Sequence, residues 1–242
     1  MEYFQGGNGE FMRNELTPRL YEVSQKIGNT DVLCDVGCDH AYLPIYLINN
    51  NRINKAYACD VREGPLEIAK KNIHKNNLDD KIFTVLSDGL DKVRDKEISC
   101  ISICGMGGNL ISRILSDNIE CAKRADKIIL QPMTEIEVLR KFLYENGFVI
   151  YDESLAKEDR RYYNIICAKK GIEEESDVFD FYFGKKLFEN PSFLLKEYIQ
   201  KNHAVFSNVL KQKQKSGREN TQELEYIVSV LYEKLTDFQK KL

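Results

Sequence analysis

The sequence predicts an α/β fold: a seven-stranded sheet with an antiparallel last strand, followed by a C-terminal α-helical hairpin. Short β-branched runs alternate with helical patterns through about residue 170. The last two strand-like runs, "FVIYDES" and "YYNIICAK", are separated only by a polar stretch. No crossover helix fits there, so they should run antiparallel to each other. Beyond about residue 171 only helical spacing is found.

Residues 1–11, "MEYFQGGNGEF", read as an expression-tag remnant, with Met12 as the native start. "LTPRLYEV" then begins a first helix. The strand candidates "DVLCDV", "KAYACD", "KIFTVL", "ISCISIC" and "DKIILQP" follow in order. They are nearly all apolar, as expected when helices cover both faces of a parallel sheet. Between them lie helical segments. "PLEIAKKNIHKNN" carries Leu66, Ile68, Ala69 and Ile73 as an imperfect stripe. "GNLISRILSDN" and "EIEVLRKFLYENG" are the others, the last ending on Gly147. Residues 12–170 therefore form one domain. "GIEEESD" reads as an acidic linker into a second unit, 171–242. In that tail, Leu195, Tyr198, Val205 and Val209 mark one helical stripe. Leu224, Ile227, Leu231, Leu235, Phe238 and Leu242 mark another. Ser216-Gly217 is the turn between them, giving a coiled-coil-like antiparallel hairpin that extends from the main domain.

With 43% apolar and 30% charged residues the chain has an ordinary soluble composition. No apolar run approaches the roughly 20 residues of a membrane span. The N-terminus lacks a signal-peptide pattern, and a monomer is expected. The net charge of −3 excludes a global basic field, and any nucleic-acid contact must be local. Seven cysteines occur without a C-x-x-C pair. Cys34, Cys59, Cys100, Cys104 and Cys167 sit in or at the end of apolar runs, which fits reduced thiols and no metal.

Ligands of open α/β sheets bind at the carboxyl ends of the strands. Strand one ends in Asp35-Val36-Gly37-Cys38-Asp39-His40. A pyrophosphate loop would show more glycines and more free N–H groups. One glycine among acids suits a cationic ligand without phosphate, such as S-adenosylmethionine. Asp35 or Asp39 could then answer its ammonium, although a plain turn with solvated acids would look the same. Strand two ends in Asp60-Val61, with Asp60 23 residues past Gly37. An acid there accepts from ribose hydroxyls, or caps the next helix. Strand three ends in Ser87-Asp88-Gly89, where Asp88 could receive an adenine amino group. Strand four ends in Cys104-Gly105-Met106-Gly107-Gly108, whose glycines should expose backbone where a group is transferred. In order, Gly37, Asp60, Asp88 and Gly105 spell a Rossmann-like seven-stranded methyltransferase sheet. The G-x-G-x-x-G of a dehydrogenase is absent.

"DVGCDHAYLP", "ICGMGGNLI", "ILQPM" and "EDRRYYNII" resemble the bacterial tRNA (adenine-22-N1)-methyltransferase family. Cys38 stands where that family often has Ser or Thr, and "EDRRYYN" departs from its usual pattern. The resemblance implies methyl transfer from S-adenosylmethionine to N1 of an adenine in the tRNA D-arm. Adenine N1 has a free lone pair and needs no base. Asp39, or carboxylates near Asp88, would offset the developing product charge. Gly105, Met106 and Gly107 would give access. His40 could hydrogen-bond a ligand or pin the loop. RNA contact is expected at Arg19, which should lie over the cofactor mouth, and at Arg160, Arg161 and Tyr162. The tail from residue 181 holds eleven Lys/Arg against seven Asp/Glu. Its densest patch, with Lys211, Lys213, Lys215 and Arg218, could grip RNA or merely solubilise the tip. Two other functions fit the same residues: methylation of another substrate, or a non-catalytic scaffold.

Overall fold

The computed structural model describes residues 16–172, 176–216 and 221–240. The expectations on the tag remnant, Leu242 and Arg218 lie outside the described residues. Strands β1 (Val32–Val36), β2 (Lys55–Asp60), β3 (Ile82–Leu86), β4 (Cys100–Met106), β5 (Lys127–Pro132), β6 (Phe148–Glu158) and β7 (Arg161–Lys170) form a single sheet. Its order is β3-β2-β1-β4-β5-β7-β6. The first five run parallel, whereas β7 is antiparallel to both β5 and β6. The chain leaves β1 toward β2 and β3, then crosses back to β4. The strand order reverses between β1 and β4, and the C-terminal ends of those two strands open a crevice.

Helices cover both faces because the strands are apolar on both. Val23 and Ile27 of α1 (Pro18–Ile27), Leu47 of α2 (Tyr42–Asn49) and Ala69 and Ile73 of α3 (Glu63–Lys75) build one core. Ile111 and Leu115 of α4 (Gly108–Asp117) and Leu139 and Leu143 of α6 (Ile136–Glu145) build the other. The short α5 (Ile119–Arg124) lies between them. Thr17 caps α1 through its side chain and Pro18 starts it, a usual helix opening.

Two expectations need correction. β6 and β7 extend into the stretch read as a polar connection, pairing Ala156 with Tyr163, Lys157 with Tyr162 and Glu158 with Arg161. The antiparallel pairing simply continues there, and only Asp159-Arg160 turn, with Asp159 at φ 51°. In the tail, α9 (Leu195–Lys215) buries Leu195, Tyr198 and Ile199, but Val205 is 50% and Val209 40% exposed. Phe206 and Leu210 face inward instead. The stripe rotates because Phe206 packs against Tyr182 and Phe183, with α10 (Gln222–Lys240) lying alongside. On α10, Ile227 and Leu231 are buried, with Leu224, Leu235 and Phe238 half-buried beside them.

The helical tail is joined to the sheet by more than a linker. Short helices α7 (Val178–Phe183) and α8 (Lys185–Glu189) share an apolar cluster with Leu155 of β6 and with α9 and α10. Arg140 of α6, only 1% exposed, is the polar centre of this junction. Its Nε donates to Glu153 at 2.8 Å, one terminal nitrogen to Asn164 at 3.1 Å, and the other to the carbonyls of Phe181 and Tyr182, both at 2.9 Å. Burial pushes the Glu153 carboxyl up, and the arginine opposes that shift. A charge so enclosed is tolerable only with every donor answered.

Candidate active site

The crevice between β1 and β4 encloses about 630 Å³, a size ordinary for small-ligand sites. Asp35, Gly37, Cys38, Asp39, Asp60, Val61, Ser87, Asp88, Gly89, Cys104, Gly105 and Met106 all line it, so the four strand ends read from the sequence do converge.

The loop after β1 makes the sharpest statement about ligand type. The N–H groups of Gly37 and Cys38 both donate to the Cys59 carbonyl, at 2.8 and 2.9 Å. They are committed to β2 and are not aimed outward as a phosphate would require. Gly37 sits at φ 73°, and a Cβ there would overlap the Met106 side chain. Only glycine leaves the loop this close to the end of β4. Asp39 and Ala41 take left-handed backbone at φ 49° and 60°, turning the chain into α2.

Carboxylates dominate the β1–β3 side. Asp35 is buried and accepts from the Ser102 hydroxyl at 2.6 Å. Burial pushes its carboxyl up to about 6, with Asp60 adding to the shift and Ser102 opposing it. Asp60 is buried too, and one of its oxygens accepts from the Arg62 N–H at 3.0 Å. Asp88 is more exposed, with Arg113 at 3.2 Å. The Ser87 hydroxyl donates to the Gly89 carbonyl and accepts from the Lys92 N–H, both at 3.1 Å, which fixes the turn between them. The Cys38 and Cys104 thiols are pushed up by burial and stay protonated. They are packing groups, not nucleophiles.

Two expected site residues have other positions. His40 lies off the cleft wall. Its ring nitrogens face the Tyr42 hydroxyl at 3.3 Å and Asp39 at 3.5 Å, and its carbonyl accepts from Asn72. α2 begins two residues further on, at Tyr42. Gly107 is absent from the wall as well. A Cβ on Gly107 would crowd Thr134 and Glu135, and one on Gly108 would overlap the Glu135 backbone. These glycines let α4 start against the 134–135 turn. Of the three, Gly105, at φ 78°, borders the cleft.

Of the RNA candidates, Arg19 stands in the cleft itself. Arg160 lies in the β6–β7 turn and Arg161 opens β7. Tyr162 is committed to the tail. Its hydroxyl donates to Glu197 at 2.6 Å, and the Lys157 and Lys201 ammonium groups lie over its ring. Lys211, Lys213 and Lys215 are exposed on the last turns of α9. Sequence reasoning passed over Tyr42, Leu110 and Arg113 on the cleft wall, and Gln131 beneath it. Gln131 had left a sign: it is the one amide inside the apolar run "DKIILQP". Among the described residues no three His, Cys, Asp or Glu side chains group as a metal site.

Residues 16–166 match a methyltransferase domain, and the chain belongs to that family. The tRNA (adenine(22)-N(1))-methyltransferase of Bacillus subtilis is 34% identical over 157 residues, which cover 65% of this chain and 66% of that protein. Across the curated relatives it matches, the chain spans 62% to 66% of their length. A candidate tRNA (m1A22) methyltransferase from Streptococcus pneumoniae, solved with S-adenosyl-L-methionine, is 32% identical with a TM-score of 0.82. That likeness covers 91% of this chain and 100% of that one. TrmK of M. capricolum, solved with S-adenosyl-homocysteine, is 32% identical with a TM-score of 0.72, covering 93% and 97%.

Proposed function

We propose that this protein is a cytoplasmic enzyme that methylates N1 of adenine 22 in the D-arm of tRNA, with S-adenosylmethionine as donor. The observation that carries the reading is the cleft's donor set. Two buried carboxylates face it, and the adjoining loop has turned its N–H groups away. That is a site for a cation without phosphate, in a family whose relatives named above act on tRNA. Bound there, S-adenosylmethionine supplies an electrophilic methyl group carried on a sulfonium.

The chain's own residues supply the rest. Asp35 or Asp39 answers the ammonium. Asp60 keeps its second oxygen for a ribose hydroxyl, since only the first is engaged by Arg62. Asp88 offers a carboxylate to the adenine edge. Gly37 keeps the loop low enough for close approach. On the acceptor side, Gly105 and Met106 bound the space where the target base arrives. Adenine N1 attacks through its own lone pair, so the protein need only align it, and alignment is worth orders of magnitude. The cleft carboxylates, Asp39 the most exposed to the opening, offset the positive charge of the product. The lysines on α9 contact the RNA backbone at a distance from the cleft. Among the described residues no helix is long and apolar enough to cross a membrane.

Incubation with labelled donor and tRNA transcripts carrying adenine or guanine at position 22 tests this. Methylation of the first alone is expected. Equal labelling of both, or of neither, would refute it.

A further inference from the structure

The cleft holds three arginines, and one differs from the others. Arg62 lies 3.7 Å from Asp60, and Arg113 lies 3.2 Å from Asp88. Among the described residues no carboxylate pairs with the Arg19 guanidinium. Its partners are neutral. One terminal nitrogen donates to the Gln131 Oε1 at 2.6 Å, and the group lies 5.6 Å from the centre of the Tyr163 ring.

The anchor is built for the purpose. Gln131 is 0% exposed, and its single acceptor oxygen takes two hydrogen bonds, from Arg19 and from the Gly105 N–H at 3.2 Å. Both of those groups can only donate, so the oxygen must face them. The amide nitrogen donates to the Pro132 carbonyl at 3.0 Å. The amide is therefore fixed at both ends. It joins α1 to the end of β4, and it places a cation beside the glycine that borders the cleft. A guanidinium held by a neutral amide and an aromatic face has no counter-charge paired with it among the described residues. Its remaining N–H groups have no partner among the described residues. A planar fork of that kind is suited to a carboxylate or a phosphate oxygen pair.

We propose that Arg19 is the anion-binding group of this cleft and that Gln131 is its positioning residue. The inference rests on the proposed function, which supplies two anions of the same recognition chemistry. One is the carboxylate of the donor's methionine end, and the other is a phosphate flanking the target nucleotide.

Titration calorimetry with S-adenosylmethionine and with its decarboxylated analogue, on wild type and Arg19→Ala, separates the sources. If Arg19 holds the carboxylate, wild type prefers the intact donor by about ten- to a hundredfold, and Arg19→Ala loses that preference. If it holds a phosphate, donor affinity is unchanged, the KM for tRNA rises by a similar factor, and the salt dependence of tRNA binding weakens by about one ion. Either result supports the clamp, and Arg19→Lys should restore part of the loss. Unchanged donor preference together with unchanged tRNA KM would overturn it. For Gln131, the double-mutant cycle decides. Gln131→Leu should reproduce the Arg19→Ala phenotype and add nothing further in the Arg19→Ala background, with thermal midpoints recorded for all four proteins. An independent, additive loss would show a merely structural role. A wild-type chain that labelled no tRNA yet still lost an anion preference in Arg19→Ala would contradict the proposed function and leave the clamp standing.

Discussion

On the β1–β3 side of the cleft the chain places carboxylates; on the β4–β5 side it places glycines, a methionine and one arginine on an amide anchor. The first side recognises by charge. Asp35 and Asp60 are buried, so each counter-charge they meet is worth more than it would be in water. The second side recognises by shape. Gly108 brings α4 close to the Glu135 backbone, and Met106 fills the space above Gly37. Arg19 apart, mutations on the two sides should therefore fail in different ways: affinity falls on the first, and packing falls on the second.

The largest effect is expected from Gly108→Ala. Its Cβ would overlap the Glu135 backbone, which cannot rotate aside as a side chain could. A loss of about 3 kcal/mol in folding stability is expected from such overpacking, read by denaturant unfolding. A variant with wild-type stability would mean that the 134–135 turn gives way freely. Next, Asp60→Ala should weaken donor binding by about ten- to a hundredfold while lowering stability far less, as measured by calorimetry and thermal melting. Equal losses in both would erase the distinction between the sides.

Asp35 sharpens the same comparison through pH. Its carboxyl is raised from 3.8 to about 6 by burial, so the folded chain holds this proton more tightly than the unfolded chain does. The ligand-free protein should therefore lose stability from this group as pH rises from about 4 to about 6, and gain it on acidification through that window. A cationic ligand needs the ionised form, so donor affinity should fall about tenfold per pH unit below about 6. Asp35→Asn should flatten the profile. A wild-type profile already flat between pH 5 and about 7.5 would sink the assignment of Asp35 to the ammonium. The smallest effect lies farthest from the cleft. Replacing Lys211, Lys213 and Lys215 with alanine should weaken tRNA binding several-fold and lower its salt slope by about 2 to 3, with donor affinity unchanged.

The charged side was legible in the sequence because Asp35, Asp60 and Asp88 each lie at or just beyond the end of an apolar strand, and strand ends of an open sheet converge. The shaped side was not. A glycine's letter does not say toward which neighbour its missing Cβ would point, so Gly107 and Gly108 looked like exposed backbone and proved to be packing positions. Arg19 was visible as a cation near the mouth, but its anchor Gln131 lies 112 residues away. No local pattern links the two. The same limit applies in the tail. Helical spacing fixed α10, yet Val205 and Val209 are exposed, because which stripe of α9 is covered depends on where its partner lies. Likewise Arg140 appears in its sequence as one more cation on an amphipathic helix, and only the fold brings Glu153, Asn164 and two carbonyls of α7 around it.

On the proposed function, this cleft, cationic-ligand site and acceptor space together, serves N1 of one tRNA adenine. Nucleoside mapping by mass spectrometry, after incubation with total tRNA and isotopically labelled S-adenosylmethionine, tests it most directly. The account predicts labelled 1-methyladenosine at position 22 and at no other position. Label on a different nucleoside, or on adenine elsewhere in the tRNA, would contradict it.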